Sequence, residues 1–160
     1  ETADKANFTR EAMDKYAIRS LTRANAAINS GSFKNEVVPV TVKLRKGDVV
    51  VDTDEQPGNA RPDKIPSLRP VFTKDGTITA ANSSSISDGA AALVLMKKSE
   101  ADKRGLIPLC KVVAHATHAQ NPEEFTVAPI GAISKVLKKS GWITNDVDLF
   151  EKHCTCHIKV

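Results

Sequence analysis

The sequence contains few cysteines and few aromatic residues, and each shortage excludes a class of protein. Three cysteines are too few, and an odd number, for a disulfide framework, which favours a reducing compartment. The aromatics are five Phe, one Trp and one Tyr, and the net charge of +4 comes from interspersed charges, unlike a nucleic-acid-binding surface. No apolar run approaches the roughly 18 residues that span a bilayer, and no signal-peptide pattern opens the chain. We expect a cytoplasmic protein with no nucleic-acid or membrane partner.

The composition that remains is typical of a folded protein. Hydrophobic residues make up 41% and charged residues 26% of the 160 positions, close to ordinary globular values. A chain of this length fits one domain or slightly more and can bury a core. The sequence has no initiating Met, so we expect it to begin inside a longer chain.

The first half predicts a helix, a hairpin and a long loop. Thr9 is a candidate N-cap and Gly31 a candidate helix stop. Between them runs one apolar stripe at helical spacing, formed by Met13, Ala17, Leu21, Ala24 and Ile28. Alternating valines over 38–51 surround an Arg-Lys-Gly-Asp turn and predict a β-hairpin. Four prolines within 52–70 predict an irregular connecting or functional loop.

The second half alternates between strand-like and helical patterns. Strands are predicted at 77–80, 109–116 and 147–150, and helices at 99–104 and 130–140. The apolar run 89–96 predicts a buried element, and periodicity alone leaves both helix and strand open. This alternation predicts an α/β fold class.

One stretch is specific enough to indicate a family. Residues 68–92 read LRPVFTKDGTITAANSSSISDGAAA, and four other segments agree in order and spacing: RKGD (45–48), DTDE (52–55), KKSEADKRG (97–105) and GW with DVDLFE (141–142, 146–151). Together they cover nearly the whole chain to Glu151. This pattern resembles the thiolase family, in particular its acetyl-CoA acetyltransferases.

The resemblance implies an enzyme family, a substrate and a partial fold. Thiolases condense two acetyl-CoA to acetoacetyl-CoA and run the reverse reaction, in fatty acid and ketone metabolism, on a coenzyme A thioester with no permanently bound cofactor. By the same resemblance, residues 1–76 form the lid over coenzyme A, 77–105 the end of the N-terminal half and 106–151 the start of the C-terminal half. We therefore expect a partial thiolase fold, and homodimers or homotetramers in full-length family members.

The resemblance also implies that no catalytic residue lies in this chain. The family's nucleophilic cysteine precedes the matching region, and its histidine and second cysteine follow it. Residues 152–160 depart from the family as an aberrant tail. We expect a thiolase fragment that is inactive alone; the alternative is a non-catalytic, thiolase-derived protein that binds coenzyme A or a partner.

Five positions are candidate contacts with the substrate. Phe72 matches a residue lining the pantetheine channel, and Ser84 matches the serine that hydrogen-bonds the pantetheine arm, with Ala80 beside it. Arg61 is a candidate for the phosphate or adenine side, since a guanidinium binds phosphate in a bidentate manner. Phe125 stands where many thiolases place a methionine facing the acyl group. The simpler alternatives are a core aromatic, an ordinary turn and a solvated loop charge.

The remaining Cys and His residues predict no catalytic or metal site. Cys110 lies in an apolar stretch and matches neither family cysteine, so we expect a small core residue. His115 and His118 would need further ligands around a tetrahedral ion, and the run 153–157 (His-Cys-Thr-Cys-His) is too short to wrap one. Zinc binding by this tail stays a distant alternative.

Overall fold

The structure, a computed structural model, describes residues 2–87 and 89–151. They form two compact units, one of residues 3–84 and one of residues 85–151 together with Thr2. The α-helices are α1 (Thr2–Lys5), α2 (Arg10–Asn29), α3 (Glu55–Asn59), α4 (Lys98–Lys103) and α5 (Ala128–Ser140). Three 3₁₀ helices cover Pro62–Ser67, Pro122–Val127 and Thr144–Asp146. The strands β1 (Val40–Leu44) and β2 (Gly47–Val51) pair in an antiparallel sheet.

Helix α2 begins and ends as its sequence predicts. The Thr9 hydroxyl accepts a hydrogen bond from the Ala12 N–H at 3.2 Å and so caps the first turn. At the other end Gly31 adopts a φ of +71°, and its N–H bonds to the Ile28 carbonyl while the Ser32 N–H reaches Ala27. This paired arrangement is a Schellman motif, which favours glycine because the left-handed conformation strains other residues.

The β-hairpin is also confirmed, with its register set by a two-residue turn. Val40 pairs with Val51, Val42 with Val49, and Leu44 with Gly47. The turn therefore consists of residues 45 and 46 alone. Every residue of both strands is exposed within the described part of the chain, so backbone pairing and cross-strand contacts hold the hairpin together.

The expected loop at 52–70 contains more regular structure than its prolines predicted. Helix α3 begins after Asp54, whose carboxylate accepts the Gln56 N–H at 3.1 Å. Pro62 opens the following 3₁₀ helix at its first turn, where a missing N–H costs no hydrogen bond. The 3₁₀ helix then buries Ile65 against α2, which makes this segment part of the small core of its unit.

Four strand-like segments form no strand in the described residues. Residues 77–80, 89–96, 109–116 and 147–150 contain no residue of a paired strand. The run expected to be buried is exposed instead, with Leu93 at 88% and Leu95 at 77% accessibility. An extended segment becomes a strand only when a neighbour completes its hydrogen-bond ladder, and the described residues supply no neighbour to these four.

Helices α4 and α5 lie where the pattern predicted them. Helix α4 buries Ala101, and α5 ends at Gly141 with a φ of +75°, where the Trp142 N–H bonds to the Leu137 carbonyl at 3.1 Å. None of the helices in the described ranges combines the length and apolar character needed to cross a membrane.

Candidate functional site

Two charged residues on helix α2 form the centre of the candidate site. Arg10 and Asp14 are four residues apart, so their side chains meet on one face of the helix. The Arg10 Nε donates to Asp14 Oδ2 at 2.7 Å, and the Asp14 side chain is only 6% exposed. Such a buried carboxylate requires hydrogen-bond donors. The further hydrogen bonds of Arg10 and Asp14 connect two other segments of the chain to helix α2.

The guanidinium of Arg10 ties the 3₁₀ helix Pro62–Ser67 to α2. Its Nη2 donates to the Leu68 carbonyl at 2.8 Å and to the Ile65 carbonyl at 3.3 Å. These carbonyls lie at the end of the 3₁₀ helix, and the Ile65 carbonyl also accepts the Leu68 N–H at 3.2 Å. Arg10 thereby fixes the chain just before the Arg-Pro-Val-Phe stretch.

The carboxylate of Asp14 ties a second segment to the same helix. Its Oδ1 accepts a hydrogen bond from Asn82 Nδ2 at 3.2 Å. The same amide nitrogen donates to the Thr77 carbonyl at 3.0 Å, while Asn82 Oδ1 accepts the Thr79 N–H at 2.8 Å. A flipped amide would place its oxygen against two acceptors, so these partners allow one orientation. Asn82 and Thr79 are both buried, at 4% and 0% exposure.

The two tethered segments are joined by a tight turn. The Val71 N–H donates to the Ile78 carbonyl at 3.0 Å, and the Gly76 N–H to the Thr73 carbonyl at 3.1 Å. A Cβ at Gly76 would lie 2.6 Å from Thr73 Oγ1 and 3.2 Å from the Thr73 carbonyl oxygen, so a larger residue there would require the Thr73 side chain to move. We call the Arg10–Asp14 pair with Asn82 the anchor network, because it holds both ends of this turn.

Four of the five predicted contact residues lie on the segments that the anchor network holds. Phe72 follows Val71 at the start of the turn and is 79% exposed, so the alternative of a core aromatic is wrong for the described structure. Ala80 and Ser84 flank Asn82 and are exposed, and Arg61 is exposed immediately before the 3₁₀ helix. The hydroxyl of Ser84 bonds to no other described residue.

The fifth contact residue belongs to the other compact unit. Phe125 lies in the 3₁₀ helix Pro122–Val127 and is 58% exposed. Within that unit Thr2 and Thr126 share a hydroxyl hydrogen bond of 2.9 Å. The role of Phe125 stays a prediction.

Cys110 differs from the expectation of core packing. Its thiol is free and exposed, because the segment 109–116 forms no strand that could bury it. No group of three or more His, Cys, Asp or Glu in the described residues could hold a metal ion. His118 instead packs its ring against helix α5, where a Cβ at Gly131 would lie 2.5 Å from His118 Cδ2. The tail 153–157 lies outside the described residues.

The anchor network is the feature that the sequence did not predict. Asp14 and Asn82 are 68 positions apart, and each looks unremarkable alone. One signal was present: Asp14 precedes the buried Ala17 by three residues, so a carboxylate falls on the buried side of an amphipathic helix. A buried carboxylate demands a partner, and this one has two.

A second ion pair on α2 lies outside the site. Lys15 Nζ contacts Glu11 Oε1 at 2.7 Å with both side chains in solvent. The hydrogen bond from Lys15, and then its positive charge, lowers the pKa of Glu11 below the ordinary 4.5. The same hydrogen bond and the charge of Glu11 raise the pKa of Lys15 above 10.5. This exposed pair is a natural control for the buried one.

Comparison with known proteins identifies the same family in the N-terminal and the C-terminal part of the chain. Residues 1–99 match the model of the thiolase N-terminal domain, and residues 106–156 match that of the thiolase C-terminal domain. The acetyl-CoA acetyltransferase of Syntrophomonas wolfei is 45% identical over 148 residues, which is 92% of this chain and 37% of that protein. The mitochondrial acetyl-CoA acetyltransferase of Macaca fascicularis is 47% identical over 152 residues, or 94% and 36%.

Solved structures agree with these sequence matches. The acetyl-CoA acetyltransferase of Bacillus anthracis superposes with a TM-score of 0.87 at 40% identity, over 92% of this chain and 38% of that one. The Acat5 thiolase of Ascaris suum, solved in complex with coenzyme A, gives 0.84 at 42% identity, over 92% and 38%. The chain thus spans little more than a third of the length of the proteins it matches. It belongs to the thiolase family and carries part of the thiolase fold.

Proposed function

We propose that this chain supplies the coenzyme A lid of an acetyl-CoA acetyltransferase. The whole enzyme would condense two acetyl-CoA to acetoacetyl-CoA and catalyse the reverse, with the coenzyme A thioester as substrate and no permanently bound cofactor. The relatives' names and the coenzyme A complex of a similar thiolase support this proposal. Cytoplasmic location and a homodimeric or homotetrameric assembly belong to the same proposal.

The observation that carries the proposal is the anchor network. It holds two segments of one turn to helix α2 and leaves the residues expected to touch the ligand exposed. A pantetheine arm needs an apolar wall, a hydrogen-bond partner for its amides and close approach to backbone. Phe72 offers the wall, the Ser84 hydroxyl the hydrogen bond, and Ala80 the small side chain that permits approach.

The charged end of coenzyme A requires a different kind of residue. Arg61 is exposed at the start of the 3₁₀ helix that Arg10 holds, and its guanidinium suits a phosphate group. We therefore propose Arg61 as the contact for the phosphate or adenine side. Phe125 is proposed to face the acyl group.

The chemistry of the reaction requires groups that we assign to other parts of the family fold. A thioester is attacked by a thiolate, and the developing enolate charge must meet preorganised donors. The resemblance matches no residue of this chain to those roles. We propose that residues 1–76 act as lid and that 77–105 and 106–151 belong to the two halves. A divergent tail is proposed at 152–160, although the match to the C-terminal domain extends to residue 156. The chain alone would bind substrate without turning it over.

Calorimetric titration of the full chain with coenzyme A tests the proposal. We expect weak binding, at roughly millimolar Kd, because each ~1.4 kcal/mol of missing contact weakens affinity tenfold and this chain holds only part of the family fold. Ser84→Ala and Phe72→Ala should each weaken it further, while Cys154→Ser in the tail should not. Absence of binding, or equal sensitivity at Cys154, contradicts the proposal. Micromolar affinity would favour the alternative, a non-catalytic coenzyme A-binding protein.

A further inference from the structure

We propose that Asp14 and Asn82 are positioning residues for coenzyme A: their hydrogen bond sets where the loop carrying Ala80 and Ser84 stands. This inference rests on the proposed function. Neither residue would touch the ligand, since both are buried at 4% exposure while Ala80 and Ser84 are exposed. They act through the backbone between them and the ligand.

The hydrogen bonds of Asn82 define the conformation of the loop that carries Ala80 and Ser84. Its amide closes a turn locally, through the Thr79 N–H at 2.8 Å and the Thr77 carbonyl at 3.0 Å. The Thr79 hydroxyl then accepts the Ala81 N–H at 3.3 Å. These local bonds give the loop its shape, and the bond to Asp14 fixes that shape against helix α2.

Asp14 is suited to this task because Arg10 already orients it. Its Oδ2 is occupied by Arg10 Nε at 2.7 Å, which leaves Oδ1 aimed at Asn82. Arg10 also holds the Leu68 carbonyl, upstream of Phe72. The Asp14 carboxylate therefore links the loop that carries Ser84 to the segment that carries Phe72. The distance from Ser84 to a bound pantetheine arm, and that from Phe72, would both depend on this carboxylate.

An isosteric substitution tests the hydrogen bond between Asn82 and Asp14 without creating a cavity. In Asn82→Asp the oxygen that receives the Thr79 N–H remains, but the donor facing Asp14 and Thr77 becomes an acceptor. In the double variant Asp14→Asn with Asn82→Asp, the amide of residue 14 can donate to the carboxylate of residue 82, which restores the tether and not the Thr77 bond. Asn25→Asp is the matched control, since Asn25 lies on the same helix and its Nδ2 contacts the Pro57 carbonyl at 3.5 Å.

Two measurements on the full chain separate positioning from general stability: coenzyme A affinity by calorimetry, and hydrogen exchange by mass spectrometry. We expect Asn82→Asp to weaken coenzyme A binding at least about tenfold. In this variant two buried acceptor oxygens, of residues 14 and 82, face each other where a hydrogen bond stood. Exchange should quicken in a peptide covering 77–84 and stay unchanged in the hairpin 40–51. The double variant should partly restore both the affinity and the slow exchange of 77–84. Asn25→Asp should change neither.

Each other outcome counts against a stated claim. If Ser84→Ala weakens binding but Asn82→Asp behaves like Asn25→Asp, the coenzyme A contact stands and the positioning role falls. A rise in exchange across the hairpin as well, or a double variant no better than Asn82→Asp, would show a merely structural role. If the wild-type chain binds no coenzyme A, the proposed function and the positioning role both fall.

Discussion

The side chain of Asn82 donates to Asp14 across 68 positions of sequence, at 3.2 Å, and both residues are buried. Asp14 also accepts a hydrogen bond from Arg10, which in turn donates to the Leu68 carbonyl at the end of the 3₁₀ helix Pro62–Ser67. One carboxylate thus connects helix α2, this 3₁₀ helix and the loop before Ser84. The expected substrate-contacting residues of this unit all lie on segments that this network fixes.

Removing the buried carboxylate should cost more than removing an exposed one on the same helix. We expect Asp14→Ala to lower the free energy of unfolding by about 2–3 kcal/mol, because Asn82 Nδ2 and Arg10 Nε lose their acceptor in a buried site. Glu11→Ala, which breaks the exposed pair with Lys15, should lower it much less, because exposed ion pairs contribute little. Urea unfolding followed by circular dichroism measures both; equal losses for the two variants would contradict the account.

The exposed Glu11–Lys15 pair makes a prediction for pH. The pKa of Glu11 is lowered in the folded chain, so its contribution to stability is present above its unfolded pKa and is lost as pH falls through its folded one. The pKa of Lys15 is raised, so its contribution is present below 10.5 and is lost as pH rises through the folded value. In Lys15→Gln, an NMR titration should show the pKa of Glu11 returning towards 4.5. An unchanged value would mean that Lys15 is not the cause.

Catalysis by the isolated chain should be absent. Thiolysis of acetoacetyl-CoA should not exceed the buffer rate, because the proposal places no nucleophile of the reaction in this chain. Cys110 makes this a real test, since its thiol is exposed. Turnover that survives purification and vanishes in Cys110→Ser would show that the exposed thiol is catalytic.

The exposed apolar segment at 93–95 should make the chain self-associate. Leu93, Val94 and Leu95 are each at least 77% exposed, a contiguous patch of the kind that promotes association. We expect oligomers by light scattering, and a lower mean mass in Leu93→Asp with Leu95→Asp. Lys103→Gln, on the nearby helix α4, is the control. A wild-type chain that stays monomeric at all concentrations would contradict this expectation.

Locally determined features were predictable from the sequence. Helix α2 was indicated by its apolar stripe and by Thr9 and Gly31 at its ends, all within one stretch of chain. The hairpin followed from alternating valines around a short turn. Caps and turns satisfy backbone groups with near neighbours, so the sequence around them suffices.

Features that depend on distant residues were not predictable. The run 89–96 has the composition of a buried element, but a strand needs a paired neighbour and the described residues provide none. Prolines in 52–70 predicted a loop, although Pro62 fits the first turn of a 3₁₀ helix. The contact positions came from the family resemblance, whereas the network that holds them joins residues that no local pattern relates.

The most direct test of the central claim compares the two ends of coenzyme A as separate probes. Hydrogen exchange of a peptide covering 77–84 is measured in the full chain with excess pantetheine and, separately, with excess ADP. The account predicts that pantetheine slows exchange there in the wild type and not in Ser84→Ala, while ADP leaves that peptide unchanged. Protection of 77–84 by ADP alone, or by neither probe, would contradict the assignment of this loop to the pantetheine arm.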